Sequence, residues 1–130
     1  MSEAPATAAA PAVKPSIEEK AKAEICKEFG TTPAELEQLK LEVGKLECIW
    51  VGGKAFVYRS LKRAELKTIK AGVIGGDEAI FEEKVVARCL LMPRMTEEEL
   101  RSDDAGLAST LSEAISAFSG YAPDGMPIKL

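Results

Sequence analysis

Leu46-Glu47-Cys48-Ile49-Trp50-Val51-Gly52-Gly53-Lys54-Ala55-Phe56-Val57-Tyr58-Arg59 is the stretch on which the fold turns. Two runs rich in β-branched and aromatic residues flank a pair of glycines, and this pattern reads as a β-hairpin over 46–59. An isolated hairpin is marginal in water. It must therefore pack on helices or pair with another strand, of this chain or of a partner. Alternation along the second run sets Lys54, Phe56 and Tyr58 on one face, and Val57 and Arg59 on the other.

Helical patterns surround the hairpin on both sides. Upstream, Ser16 and Glu19 form a capping box. Ile17, Ala21, Ile25 and Phe29 then recur every fourth residue as one narrow apolar stripe, and Gly30 stops it. Thr32-Pro33-Ala34-Glu35 starts a second, short helix that ends near Val43-Gly44, with Leu36 and Leu39 as its apolar face. Downstream, Ser60 caps a third helix over 61–71 whose outer face is basic, and Gly72, Gly75 and Gly76 break it. Asp77 opens what reads as the longest helix, over 77–91. Phe81, Val85, Cys89 and Met92 share one of its faces, with Ile80, Ala87 and Leu91 beside them, so it is the expected core element. Pro93 ends it. Thr96 with Glu99 opens a short acidic helical turn. A last helix begins at Asp103, Asp104 or Ser109, carries Leu107, Leu111, Ile115 and Phe118 on one face, and closes at Gly120. The expected class is α+β, mostly helical, with about five helices and the one hairpin. Residues 1–15 read as a flexible Ala/Pro tail, 16–121 as a single globular domain and 122–130 as an irregular tail.

The bulk numbers agree with a small soluble domain. The chain has 130 residues, 46% hydrophobic and 29% charged, with a formal net charge of −4. Aromatics are only 5%, so the core must be aliphatic. Residues 4–13 are alanine-rich, contain Pro5 and Pro11 and follow no basic residue, which is not a signal-peptide pattern. No run approaches the roughly 20 apolar residues that span a bilayer. A cytosolic protein is expected.

The side-chain inventory argues against an enzyme. There is no histidine, the residue most used for proton transfer near neutral pH. Cys26, Cys48 and Cys89 are odd in number and widely spaced, which reads as three reduced, partly buried thiols. Glu97, Glu98 and Glu99 lie in a first helical turn, where negative charge complements the dipole. Gly72-Val73-Ile74-Gly75-Gly76-Asp77 precedes a helix but lacks a following Lys-Ser or Lys-Thr, and its acids would repel phosphate, so it reads as a plain connection. Ser60, Ser109, Ser112 and Ser119 have no base to activate them. No metal and no cofactor is expected. Charge is unevenly spread. Lys54, Arg59, Lys62, Arg63, Lys67 and Lys70 surround Glu65 alone, and a strongly acidic block over 77–104 follows. The basic block reads as a protein-facing surface, or as an internal match for the acidic helices, more readily than as a nucleic-acid platform.

A family resemblance sharpens this. Phe56-Val57-Tyr58-Arg59-Ser60-Leu61-Lys62-Arg63-Ala64-Glu65-Leu66 resembles a pattern in small assembly proteins of tailed bacteriophages, where a strand ending in an aromatic and an arginine leads into a helix. Glu82-Glu83-Lys84-Val85-Val86-Ala87-Arg88-Cys89-Leu90-Leu91-Met92-Pro93 resembles their central helix and its proline stop. Leu107-Ala108-Ser109-Thr110-Leu111-Ser112-Glu113-Ala114-Ile115, continued to Ser119-Gly120-Tyr121, resembles their closing helix. The family is the tail assembly chaperones, with related small tail and baseplate-hub proteins, and the likeness covers 56–121. It implies a non-enzymatic morphogenesis protein in the host cytoplasm. Such a protein binds the tape-measure protein and shields its apolar stripes during tail assembly. The surface expected to do so comprises Trp50, Phe56, Tyr58, Arg59 and Arg63 of the hairpin region and Leu111, Ile115 and Phe118 of the last helix. Each of the apolar residues also fits the core. Two alternatives are a structural component of the virion tail, baseplate hub or head–tail joint, and a nucleic-acid-binding adaptor. The expected partners are phage structural proteins and a second copy of the chain, with no membrane.

Overall fold

Ser16 and Glu19 bond reciprocally at the first described turn: Ser16 N–H donates to Glu19 Oε1 (3.0 Å), and Glu19 N–H donates to Ser16 Oγ (3.1 Å). These bonds satisfy two of the donors that a helix start leaves open. The computed structural model describes residues 16–120, so the tails expected over 1–15 and 122–130 lie outside the described residues. By its internal contacts the chain divides into two compact units, Met1–Leu39 and Lys40–Leu130.

The described part of the first unit holds helix α1 (Ile17–Phe29) and the start of α2 (Pro33–Val43). Gly30 ends α1 at φ 66°, a left-handed conformation that glycine takes without a Cβ clash. Thr32 and Glu35 form the second expected box, at 3.0 and 3.1 Å. Ile25 and Leu36 are the buried residues of these helices, whereas Ile17, first in the apolar stripe, is 88% exposed.

In the second unit, β1 (Leu46–Val51) and β2 (Lys54–Arg59) form the expected hairpin, with Val51 opposite Lys54 and Leu46 opposite Arg59. Gly52 and Gly53 both take positive φ, 60° and 81°, as a two-residue turn between twisted strands requires. Helix α3 (Arg63–Ala71), a short 3₁₀ turn (Ile74–Gly76), helix α4 (Glu78–Cys89), strand β3 (Leu90–Met92), helix α5 (Glu97–Ser102) and helix α6 (Ala105–Ser119) follow. The class is α+β and mostly helical, with six α-helices and a three-stranded antiparallel sheet of order β1-β2-β3 among the described residues.

Three expectations change. Residues Leu90–Met92 are a strand, not the end of a helix, and pair with Val57 and Tyr58. The pairing satisfies the second edge of β2, and the residue before Pro93 is biased toward extended backbone in any case. With α4 shortened, the longest helix is α6. Ser60 is buried and does not cap α3. Lys62 holds that position, its N–H donating to Glu65 Oε1 (3.0 Å). Because β2 is the middle strand, Ala55, Phe56, Val57 and Tyr58 are all buried, so both of its faces are covered.

The core gathers Phe56, Tyr58, Leu61, Ile69, Val85, Val86, Cys89, Leu90, Leu100, Leu107, Leu111 and Ile115. It is aliphatic but for two rings, as the low aromatic content required. Consecutive residues of α4 fasten its neighbours. Glu82 accepts from Ser109 Oγ on α6 (3.2 Å), Glu83 from Arg101 on α5 (3.1 and 3.2 Å), and Lys84 donates to Glu97 on α5 (3.2 Å). Among the described residues no helix is long and apolar enough to cross a membrane.

Candidate functional site

Burial sorts the eight candidate residues into three groups. Phe56, Tyr58, Leu111 and Ile115 are core, with exposures of 4%, 1%, 0% and 0%. They cannot offer a surface while the fold is closed. Arg59 and Phe118 are half-buried and hold the fold together. Trp50 and Arg63 are exposed. The structure also separates Trp50 from the other hairpin aromatics. Trp50 faces Ala55 across the ladder, so it shares a sheet face with Ala55 and not with Phe56 and Tyr58. A single patch of Trp50, Phe56 and Tyr58 does not exist.

Three residues that sequence reasoning missed fix the hairpin in place. Lys45, just before β1, donates from Nζ to the Phe118 carbonyl (3.0 Å) and lies 4.6 Å from the Phe118 ring centroid. A cation there meets the carbonyl end of α6, where its charge is favourable. Tyr58 meets the same ring edge-on at 5.9 Å and donates its hydroxyl to Glu47 Oε1. Burial, then that bond, drives the Tyr58 phenol well above its ordinary range, so it stays protonated as a donor. Ser119 Oγ, at the end of α6, accepts from the Leu61 N–H (2.7 Å). Glu47 lies opposite Tyr58 in the register that the Gly52-Gly53 turn sets, but nothing in the spacing of Lys45 or Ser119 announces their partners, which lie 73 and 58 positions away.

Arg59 forms a two-pronged pair with Glu65, both contacts at 2.8 Å. It also donates to the carbonyls of Ser60 and Arg88, each at 3.1 Å. Arg88 Nε approaches the same carboxylate at 3.7 Å. The Arg59 bonds, before all else, pull Glu65 down to about 2. Arg59 is thus engaged inside the unit and not free for a partner. Its one sequence signal was that Glu65 is the sole acid within a basic block. Burial raises the Cys89 thiol to about 11, so it is a protonated apolar filler. Among the described residues no group of histidine, cysteine, aspartate and glutamate is placed to hold a metal ion. A shallow cleft between α3 and α4 is lined by Thr68, Ile69, Lys84, Arg88 and Glu97, but Lys84 already bonds Glu97.

Among the described residues, what remains open is the outer edge of β1. The described residues place no strand against it. The two-residue turn makes Val51 and Lys54 the closing hydrogen-bonded pair, which turns the backbone N–H and C=O of Leu46, Cys48 and Trp50 outward. Sheet edges are ordinarily blunted by charge, proline or a bulge. This one runs six residues in regular register, has no proline, and its one charged side chain, Glu47, is occupied by Tyr58. Trp50 stands on it at 38% exposure. Ile49 and Val51 pack on the core from the opposite face of the strand. No protein-family model, no curated protein and no solved structure matches this chain.

Proposed function

We propose that this chain is a non-enzymatic assembly protein of a tailed bacteriophage. Acting in the host cytoplasm as a tail assembly chaperone, it holds an apolar segment of the tape-measure protein. The phage assignment rests on the sequence resemblance over 56–121. The observation that carries the binding mode is the regular, unblunted outer edge of β1 with Trp50 upon it. A segment laid along that edge gains backbone hydrogen bonds from the groups of Leu46, Cys48 and Trp50, and apolar contact with the indole. Such pairing holds any extended apolar stretch with little regard for sequence, and it releases once that stretch finds its permanent neighbours.

Co-expression with the tape-measure protein tests the proposal. The tagged chain is expected to retain it, and Trp50→Lys, which puts a charge on the edge, to lose most of the retention while circular dichroism stays unchanged. Retention that ignores Trp50→Lys would remove β1 as the site. Abundant peptides of this chain in purified virions would replace the chaperone role with that of a tail or baseplate component.

A further inference from the structure

Helix α6 ends beside the start of β1. Lys45, the residue before that strand, donates to the Phe118 carbonyl (3.0 Å) and stands over the Phe118 ring, so one lysine side chain spans the gap between the two elements. Ser119 Oγ is tied to the Leu61 N–H (2.7 Å), and Gly120 closes the helix at φ 79°. Ten residues follow: Tyr121-Ala122-Pro123-Asp124-Gly125-Met126-Pro127-Ile128-Lys129-Leu130. As extended chain they reach about 33 Å, against about 20 Å for the six residues of β1, so they can follow the whole of its open edge.

The order of those residues suits a strand laid there. Starting beside Leu46, it runs in the same direction as β1. In a parallel ladder each outward-facing residue of the edge, here Leu46, Cys48 and Trp50, bonds the two residues that flank the one opposite it, so only alternate residues of the incoming strand need a free N–H. Pro123 and Pro127 have none, and being four apart they fall together on the positions that need none. Ala122, Asp124, Met126 and Ile128 then take the bonding positions. Opposite residues share a face, so with Pro127 opposite Trp50, Met126 lies opposite Ile49 and Ile128 opposite Val51. Ile49 and Val51 are the partly buried residues of β1 that pack on the core. Two apolar side chains thus extend the core face, and a proline ring meets the indole. The prolines also strip donors from the new outer edge, which stops further pairing.

We infer that residues 121–130 dock on the outer edge of β1 as a parallel strand and serve as an exchangeable occupant of it. As regulation, this rests on β1 being the edge that takes the partner's apolar segment: the chain's own segment covers the edge until that partner displaces it. A site open only a fraction of the time binds with an affinity reduced by that fraction.

Amide hydrogen exchange of the full chain, read residue by residue by NMR with no partner present, tests the contact. In a chain ended at Gly120 the Leu46, Cys48 and Trp50 amides are expected to exchange freely. In the full chain, with the edge open about 0.1–10% of the time, they are expected to exchange about 10- to 1000-fold more slowly, at a rate independent of protein concentration. Met126→Pro in the full chain removes a bonding donor and is expected to behave as the shortened chain. Lys129→Pro, on a position that needs no donor, is expected to behave as wild type. Equal exchange with and without 121–130 overturns the inference, as does protection that survives Met126→Pro or grows with concentration. Capture of the tape-measure protein is expected to tighten in the chain ended at Gly120, and capture that does not tighten overturns the regulatory role. Capture that fails in every form, with the exchange pattern intact, removes the chaperone reading and leaves the contact standing.

Discussion

Glu65 draws four contacts onto one carboxylate. It accepts both prongs of Arg59 and the Lys62 N–H, and lies beside Arg88. Its folded-state value of about 2 is below the 4.5 of a free glutamate. The depressed value means the folded chain binds this proton less readily than the unfolded chain. The stabilisation is complete above about 4.5 and is lost as pH falls from there toward about 2. Thermal denaturation followed by circular dichroism should show the melting temperature dropping across that window. Glu65→Gln should lower it at neutral pH and flatten the acid slope. An unchanged slope in Glu65→Gln would assign the acid sensitivity to other carboxylates. The sequence made Glu65 conspicuous as the lone acid among bases, but not its partner. Arg59 lies six residues earlier, on a strand, and only the β2–α3 connection brings the two side chains together.

The hairpin and the capped helix starts were legible because their signals are local. Gly52-Gly53, Ser16 with Glu19, and Thr96 with Glu99 each act within four residues. Gly53→Ala places a Cβ at φ 81° and should cost about 1 kcal/mol in denaturant unfolding, with the turn otherwise uncrowded. No loss of stability would show that the turn adopts another geometry. Strand β3 was illegible for the opposite reason. Leu90-Leu91-Met92 continues the helical pattern of α4, and it is the open side of β2, a distant element, that draws it into a ladder. Ser60 misled in the same way: it is a good N-cap by type but is buried at the strand end. Local propensity yields when a neighbouring backbone needs a partner.

At the scale of the whole molecule, the candidate surface divided along a line that periodicity does not draw. Leu107, Leu111 and Ile115 were placed on one face correctly, yet a pattern identifies an apolar face without saying whether the chain itself or a partner covers it. Leu111 is fully buried in the core, so Leu111→Ala should destabilise by about 2–5 kcal/mol through the cavity left behind. The soluble folded fraction should still capture its partner through β1. Loss of capture with unchanged stability would return α6 to the docking surface. Trp50 is the exposed one of the apolar candidates, because it stands on the edge strand β1, whereas Phe56 and Tyr58 lie on the middle strand.

The bond from Lys45 to Phe118 joins residues 73 positions apart. On the ribosome the hairpin emerges well before α6, and the core that buries its inner face is incomplete until that helix has been synthesised. During that interval Phe56 and Tyr58 are only partly covered, and a stalled or prematurely terminated product leaves them so. Helix α6 therefore serves as the lid of its own nascent chain, and premature stops upstream of it should yield insoluble fragments rather than weakened ones.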